Sequence, residues 1–281
     1  MIVDLHTHTT ASDGQLTPTE LLRAADHKRI SALAITDHDT LSGYREAAAI
    51  SARFGVKLIS GLELSSRWRK IGIHVVGLNV KTDSAAMREA EQFQRAARGE
   101  RAAQIAQRLE KLTAPGLLDR VAALAGGGQI GRPHFARTLV ADGVVKDVQT
   151  AFAKYLGAGK PGDIRDGWAD LATVVGWISA AGGVAVLAHP AKYRLTRTRL
   201  GSLVEDFKSI GGHALEVVSG AQDPATTRQL AGLCAQHKLL ASQGSDFHRP
   251  GQRWADLGRF PLVPSQLTGV HEYLGVTTCA A

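Results

Sequence analysis

Residues 4–14, DLHTHTTASDG, combine two histidines and a carboxylate in a spacing that can bind metal. His6 and His8 follow the short apolar run 1–3, which we interpret as the first strand. Residues i and i+2 of a strand point to the same side, so both imidazoles could bind one ion. Asp13 lies in a turn of small polar residues and could return a carboxylate to the same place. A lone His-x-His also fits one buried and one exposed histidine, so the pattern needs support elsewhere.

That support comes from similar side chains after, or near the end of, other apolar runs. They are His38 after 32–35, Glu63 after 57–61, His74 within 71–78, His189 after 184–187, and Asp246 and His248 after 239–242. In a parallel α/β barrel the carboxyl ends of the strands converge on one face, where active sites lie. The set therefore predicts one metal site assembled from distant positions.

The residue types of this set restrict the chemistry. Imidazoles and carboxylates without cysteine suit Mn, Fe(II) or Zn. More candidate ligands are present than one ion can use, so we expect two or three divalent ions bridged by a carboxylate, Mn first, with Zn or Fe as alternatives. Closely spaced ions are typical of displacement at phosphorus. A formal net charge of +7 also favours an anionic partner without identifying it.

The elements that position these residues alternate over the first part of the chain. Helices predicted at 18–29 and 42–54 separate the first three strands, and this alternation predicts a parallel sheet. The alternation stops near Lys81, where 83–112 and later stretches up to residue 160 favour helices. Strands at 184–187, 214–217 and 239–242 resume it. We therefore predict a barrel domain from 1–80 and 166–281, with a helical insertion at 81–165.

Composition sets further limits on this 281-residue chain. No apolar run approaches 18 residues, so we expect no membrane span. The first strand begins almost at residue 1, so we expect no signal peptide. Cys234 and Cys279 are far apart, and a disulfide framework is not expected. These features predict a cytoplasmic protein. Walker A, Rossmann and GxSxG motifs are absent, which leaves nucleotide-driven, dinucleotide and serine-hydrolase functions without support.

Six motifs carry a resemblance to a known family. DLHTHTTASDG, AITDHDT, GLELS, IHVVGLN, VLAHP and GSDFH, in this order, resemble the polymerase and histidinol phosphatase (PHP) family across 1–80 and 170–260. GRPHFAR at 131–137 and LAHPAKY at 187–193 resemble one bacterial subgroup, the 3′,5′-nucleoside bisphosphate phosphatases and ribonuclease AM. The resemblance implies an α/β fold, a distorted seven-stranded (β/α) barrel with an inserted helical subdomain.

The resemblance also implies three metal positions. His6, His8 and Asp246 would hold the first ion, and Asp13, His38 and His248 would hold the second. The third ion would be held by His74 and one more histidine. Glu63 would bridge the third ion to the first. That last ligand is His189, which we favour for its strand-end position, or His134 in the insertion. Whichever histidine does not bind metal could give a proton to the leaving oxygen or contact the phosphate.

Candidate substrate contacts lie beside these histidines. Arg132 and Arg137 flank His134, and an arginine fork matches phosphate oxygens. Lys192 and Arg194 follow the His-Pro motif and could contact a second phosphate, although a solvated basic loop is the alternative. Ser65 follows Glu63 and could line the pocket.

Two other residue groups leave their roles open. Asp37 and Asp39 flank His38, and each either orients its imidazole or caps the following helix. The tryptophans at 68, 168, 177 and 254 are predicted to lie in the core or at the rim, and nothing in the sequence selects one to stack on a base.

The resemblance implies a metal-dependent phosphatase that converts a 3′,5′-bisphosphonucleoside into a nucleoside 5′-monophosphate and phosphate, through a hydroxide held between metals. A 5′-to-3′ exoribonuclease acting on short RNA is the alternative, and a basic, aromatic-lined groove would favour it. With 5% aromatic residues we rank the small nucleotide first. A non-catalytic, metal-stabilised interaction domain and a histidinol phosphatase rank lower. The sequence does not indicate the oligomeric state.

Overall fold

The computed structural model describes residues 1–164 and 167–276. The predicted boundary at 165/166 and Cys279 lie outside the described residues. Seven strands form one sheet, and each strand pairs with the next in chain order. Their bounds are β1 Val3–Asp4, β2 Ala32–Ile35, β3 Lys57–Trp68, β4 Ile71–Leu78, β5 Val184–Leu187, β6 Ala214–Ser219 and β7 Leu240–Gly244.

The two edges of this sheet meet. A parallel bridge joins Thr7, just after β1, to Phe247, just after β7, and the Leu5 N–H donates to the Gln243 carbonyl at 3.2 Å. The sheet is therefore nearly closed as a barrel. The predicted seven-stranded barrel is confirmed.

The prediction of an all-parallel sheet is wrong. β4 runs antiparallel to both β3 and β5, while the other neighbouring strands are parallel. β3 does not stop at Gly61 but continues to Trp68, and Arg69 in a left-handed conformation (φ 55°) returns the chain directly as β4. No helix fits into so short a connection. Glu63 consequently lies within β3, not after its end as predicted.

Helices cover the outside of the barrel and fill the segment between β4 and β5. They are α1 Pro18–His27, α2 Ser42–Ala48, α3 Ala85–Glu110, α4 Leu117–Ala125, α5 Arg132–Ala141, α6 Val148–Ala151, α7 Leu171–Ala180, α8 Arg197–Ser209, α9 Pro224–Gln236 and α10 Val270–Tyr273. A π-helical turn at Phe152–Leu156 continues α6. Among the described residues, no helix combines the length and the apolar character needed to cross a membrane.

The barrel interior is filled from alternate strand positions. Ala32 and Ala34 of β2 share one apolar cluster with Val184 and Val186 of β5, as expected because alternate side chains point to one face of a strand. On the outer face, α7, α8 and α9 pack against β3 to β7 in the largest apolar cluster. This double packing fixes the strand ends that carry the predicted ligands.

The segment from α3 to α6 has an apolar cluster of its own. Ile105 and Leu109 of α3 pack with Val121 of α4, Phe135 of α5 and Leu156. This self-contained packing is what an insertion requires, and the division into 1–80, 81–165 and 166–281 stays a prediction.

Candidate metal centre and its cavities

The Glu63 carboxylate lies at the centre of a ring of imidazoles. Its Oε2 faces His6 Nε2 at 3.3 Å, His8 Nε2 at 3.3 Å and His38 Nδ1 at 3.1 Å. Its Oε1 faces His74 Nδ1 at 2.9 Å and His189 Nε2 at 2.8 Å. Glu63 is fully buried. One carboxylate thus contacts imidazoles from both ends of the chain, as a bridging ligand would.

Two more carboxylates flank this centre. Asp246 Oδ1 lies 3.6 Å from His6 Nε2 and 3.4 Å from His8 Nε2. Asp13 Oδ1 lies 3.4 Å from His248 Nε2, and Asp13 Oδ2 lies 3.8 Å from His38 Nε2. The structure therefore brings together all the candidate ligands predicted at or near strand ends.

The donor atoms form four groups, each with its atoms within 4.8 Å of one another. The groups are His8–Asp13–His38–His248, His6–Glu63–His189, His6–His8–Asp246 and His38–Glu63–His74. The second and third groups share His6, and the first and fourth share His38. Such overlap is what a cluster of closely spaced ions needs.

Several of these atoms are buried without a hydrogen-bond partner, among them His6 Nε2, both ring nitrogens of His8, His38 Nδ1 and Glu63 Oε2. Burying polar atoms without partners is unfavourable, and native structures rarely leave so many together. A divalent cation would bind these lone pairs, and a nitrogen and oxygen donor set suits Mn, Fe(II) or Zn. The residues therefore fit divalent metal ions.

The imidazoles of the cluster favour the ionised form of its carboxylates. Burial raises the pKa of Asp13, but the imidazoles of His248 and His38 outweigh burial and hold this pKa well below its usual value. Burial likewise raises the pKa of Glu63, and His38 and His74 reverse the effect. Both carboxylates are thus ionised at neutral pH, the state that binds metal.

The imidazoles divide into two kinds. Burial lowers the pKa of His38 well below its usual value and also lowers that of His189. His8 differs: burial lowers its pKa, but Asp246 and Glu63 raise it to about 10. Metal ligands bind in the neutral form, so metal binding here must release a proton.

Glu216 contacts the cluster but is not among the candidates predicted from the sequence. It lies in β6, is 2% exposed, and accepts a hydrogen bond from His6 Nδ1 at 3.0 Å through Oε1. Its Oε2 accepts the backbone N–H of His189. The first bond leaves the His6 Nε2 lone pair facing Glu63, which is how an outer carboxylate orients a metal ligand. An acidic residue within the apolar run ALEVVS was the available signal.

Asp37 and Asp39 hold loops of the site. Asp37 accepts the Thr9 N–H at 2.7 Å and the Ser12 hydroxyl at 2.6 Å, which fixes the turn that carries Asp13. Asp39 accepts the Ser65 N–H at 2.6 Å and the Arg98 Nε at 2.6 Å. The N-cap residue of α2 is Leu41, without a side-chain cap, so neither aspartate caps that helix.

Three comparisons place the chain among known proteins. The model of the PHP domain family matches residues 4–106. The 3′,5′-nucleoside bisphosphate phosphatase of Chromobacterium violaceum is 41% identical over 93% of this chain and 92% of its own length. This chain belongs to the PHP family. The 5′-3′ exoribonuclease Rnm of Escherichia coli is 44% identical over 96% of this chain and 92% of its own length.

A solved structure agrees over nearly the whole fold. An amidohydrolase from Chromobacterium violaceum, determined with bound sulfate and no metal, matches with a TM-score of 0.92 and 40% identity. The match covers 98% of this chain and 96% of that chain. The segment from α3 to α6 is therefore shared with that relative.

Two cavities open beside the cluster of candidate metal ligands. The arginine cavity, about 610 Å³, is lined by His38 and His74 of the cluster and by Arg98, Arg101, Arg132, Arg194 and Arg199. The tryptophan cavity, about 440 Å³, is lined by Asp246 and His248 of the cluster and by Arg137, Arg249, Phe152 and Trp254. Both cavities include Asp13, Pro133, Phe152 and Lys192. The cluster therefore lies between them.

The predicted substrate contacts divide between these cavities. Arg132, Arg194 and Ser65 line the arginine cavity, Arg137 lines the tryptophan cavity, and Lys192 lines both. The Ser65 hydroxyl is already committed to Asp39 at 2.8 Å. The Lys192 ammonium donates to Asp246 Oδ2 at the junction of the cavities.

The arginine cavity concentrates positive charge. Burial and the like charges of Arg132 and Arg98 lower the pKa of Arg101 to about 9. Crowded cations of this kind stabilise a bound anion because the anion relieves their mutual repulsion. Phosphate is the anion that arginine forks match best.

His134 lies beside the cluster rather than in it, close enough to Asp13 for that carboxylate to oppose the lowering of its pKa. None of the four ligand groups found among the described residues contains it. The side chain is buried, and its Nδ1 accepts the Gly131 N–H at 3.0 Å. Burial and the neighbouring Arg137 lower its pKa to about 4. Of the two histidines predicted as alternatives for the last ligand, His189 is the one that contacts the carboxylate of Glu63.

Proposed function

We propose that this chain is a divalent-metal-dependent phosphatase that converts 3′,5′-bisphosphonucleosides into nucleoside 5′-monophosphates and phosphate. The observation that carries the proposal is the position of the Glu63 cluster directly beside the arginine cavity. One phosphate can lie at the cluster while a second lies among the guanidinium groups. The printed name of the Chromobacterium violaceum relative supports this substrate class.

The proposed ligands are the residues of the four groups. Glu63 would bridge the metal positions, His189 would complete the ligand set, and His134 would lie outside it. When bound, closely spaced divalent ions lower the pKa of water and neutralise charge on a phosphoryl group. We assign Mn first, with Zn or Fe as alternatives.

The arginine cavity holds the phosphate that is not cleaved. Arg101 and Arg132 lie close enough for their charges to interact, and Arg194 lines the same wall. We assign this cavity to the 5′-phosphate. The nucleotide is then oriented with its 3′-phosphate at the cluster, and holding the reacting groups in this geometry lowers the barrier.

His134 and Lys192 act on the phosphate being cleaved. Because His134 Nδ1 accepts a hydrogen bond, its neutral ring carries the proton on Nε2. A neutral imidazole donates a hydrogen bond well but gives up this proton poorly, so His134 is a hydrogen-bond donor to a phosphoryl or leaving oxygen. Lys192 stays an ammonium group, because Asp246 raises its pKa against the opposing effect of burial. It neutralises charge at the junction of the cavities.

A 5′-to-3′ exoribonuclease on short RNA is the second candidate. The tryptophan cavity favours it, because this cavity offers space on the other side of the cluster from the arginine cavity. The Escherichia coli relative carries this name. Both functions break the same bond, between phosphorus and the 3′-oxygen of a 5′-phosphorylated nucleoside. Histidinol phosphate has one phosphate and would leave the arginine cavity without a ligand.

The hypothesis of a non-catalytic interaction domain receives less support. A metal-stabilised interaction domain would also account for the unpartnered donor atoms of the cluster, but it would leave the arginine cavity beside them without a role. A cytoplasmic location remains a prediction from the sequence.

Product analysis tests the proposal. The Mn-loaded protein is incubated with 3′,5′-bisphosphoadenosine, and the products are separated by anion-exchange chromatography. We expect adenosine 5′-monophosphate and one equivalent of phosphate. Adenosine 3′-monophosphate as the product would reverse the assignment of the two phosphates. No product would remove the small nucleotide as the substrate.

A further inference from the structure

The two cavities adjoin at the cluster. They share Asp13, Phe152 and Lys192, and each includes residues of the cluster that the other lacks. A bisphosphonucleoside needs only the arginine cavity and the cluster. The tryptophan cavity is then left without a role in the proposed reaction.

Trp254 presents an exposed aromatic face at this second cavity. Trp254 belongs to the short helix Arg253–Ala255, and 63% of the residue is exposed. Its backbone is nevertheless held, because the Trp254 carbonyl accepts the Ala221 N–H at 2.8 Å. A Cβ at Gly220 would clash with that same carbonyl, so the contact between this helix and the end of β6 is close. The ring is thus presented from a fixed backbone.

The other three tryptophans are buried or contact charged side chains. Trp68 is 4% exposed, and its indole N–H donates to Asp206 at 2.7 Å. Trp177 is buried in the large apolar cluster. Trp168 lies against the guanidinium groups of Arg98 and Arg101, with their carbons 5.4 and 5.5 Å from its ring centre. Trp254 is the most exposed of the four tryptophans and lines the tryptophan cavity, whereas Trp168 lines the arginine cavity.

The tryptophan cavity also holds cations suited to a phosphodiester. Arg137 and Arg249 line it, and their like charges are close enough to interact. The Arg137 Nε is buried without a hydrogen-bond partner. An aromatic face beside two guanidinium groups is the combination that binds single-stranded nucleic acid.

We infer that Trp254 stacks on the base of the nucleotide that follows the scissile phosphate, and so determines whether the enzyme accepts oligoribonucleotides as well as bisphosphonucleosides. The inference rests on the proposed function, because it takes the position of the scissile phosphate from it. A bisphosphonucleoside has no such base and does not reach Trp254. A 5′-phosphorylated dinucleotide places its second base in the tryptophan cavity.

The experiment compares two substrates across matched variants. Values of kcat/KM are measured for 3′,5′-bisphosphoadenosine and for 5′-phosphorylated diadenosine with Mn-loaded wild type, Trp254→Ala and Trp254→Phe. Trp254→Ala should lower the value for the dinucleotide by about tenfold or more, the usual effect of removing one stacking partner. The loss for the bisphosphate should be several-fold smaller. Trp254→Phe should keep most of the dinucleotide activity.

Leu262→Ala is the control, because Leu262 is 80% exposed and lines neither cavity. It should change neither value. Equal losses on both substrates in Trp254→Ala, or no loss on the dinucleotide, would overturn the inference.

A binding measurement separates this inference from the proposed function. If wild type hydrolyses neither substrate, the proposed function fails. The affinity for a 5′-phosphorylated dinucleotide with a non-cleavable methylphosphonate linkage still tests Trp254. About tenfold weaker binding by Trp254→Ala would support stacking, and unchanged binding would refute it.

Discussion

Glu63 Oε1 lies 2.8 Å from His189 Nε2, although the two residues are 126 positions apart in the chain. This contact joins the two predicted barrel segments at the centre of the site. It also supports His189, rather than His134, as the last ligand.

Replacing the two histidines separately tests that assignment. His189→Ala should lower the amount of Mn bound, because it removes a donor beside Glu63. His134→Ala should bind Mn like wild type but turn over more slowly, because it loses a hydrogen-bond donor to substrate. Metal content is measured by mass spectrometry after dialysis. Loss of Mn in His134→Ala with full retention in His189→Ala would reverse the assignment.

Glu63→Gln should abolish turnover while the protein stays folded. The amide keeps the shape of the side chain but loses the charge that faces five imidazoles. We expect a loss of phosphate release of about 100-fold or more, comparable to the loss of one key electrostatic group. Circular dichroism checks the fold. Glu205→Gln, an exposed position on α8, is the matched control and should be fully active. Appreciable activity in Glu63→Gln would contradict its bridging role.

Glu216→Gln should weaken metal binding without removing a ligand. Glu216 orients His6 through a 3.0 Å hydrogen bond and fixes the His189 backbone. Substitution of such outer partners typically costs about 10- to 100-fold in metal affinity or activity. A Mn titration of the metal-stripped protein measures the change. An affinity equal to that of wild type would mean that Glu216 serves the fold alone.

Arg98→Ala should destabilise the protein. The Arg98–Asp39 ion pair is 2.6 Å long and both side chains are buried, at 7% and 0% exposure. Removing one partner of a buried pair leaves an uncompensated charge, and the expected loss is about 3–5 kcal/mol in the free energy of unfolding. Lys28→Ala breaks the exposed pair with Asp256 and should cost less than about 1 kcal/mol. Urea denaturation measures both, and similar losses would argue against this ranking.

His134 makes stability depend on pH in a defined window. Its pKa is about 4 in the folded protein against 6.5 for an ordinary histidine. Between these values the unfolded chain binds a proton that the folded protein does not, so stability falls as pH falls from 6.5 to 4. The contribution is at most roughly 3 kcal/mol. His134→Asn removes it, so the metal-stripped variant should lose less stability than wild type between pH 7 and pH 5. Parallel losses would exclude this effect.

Local signals in the sequence were enough for much of the fold. The helix predicted from residue 18 begins at Pro18, because Thr17 and Glu20 form a capping box with the first turn. The strand predicted at 184–187 is β5, a short apolar run bounded by glycine and by Ala-His-Pro. The candidate ligands were found because polar residues next to such runs are visible in the sequence.

Other features depend on tertiary structure and left no local signal. The hairpin between β3 and β4 turns at Arg69, where no glycine or asparagine announces a left-handed residue. The ion pair between Arg98 and Asp39 joins residues 59 apart. The two cavities exist only once α5, the π-helical turn and the loop carrying Trp254 surround the barrel mouth.

The initial rate of phosphate release from 3′,5′-bisphosphoadenosine tests the central claim most directly. The protein is stripped of metal, reloaded with Mn, Zn or Fe, and compared on this substrate, histidinol phosphate and adenosine 5′-monophosphate. We predict rapid release from the bisphosphate, none without metal, and little from the two monophosphates. Equal release from all three would contradict the assignment of the arginine cavity. No release with any metal, although the metals bind, would contradict the phosphatase function itself.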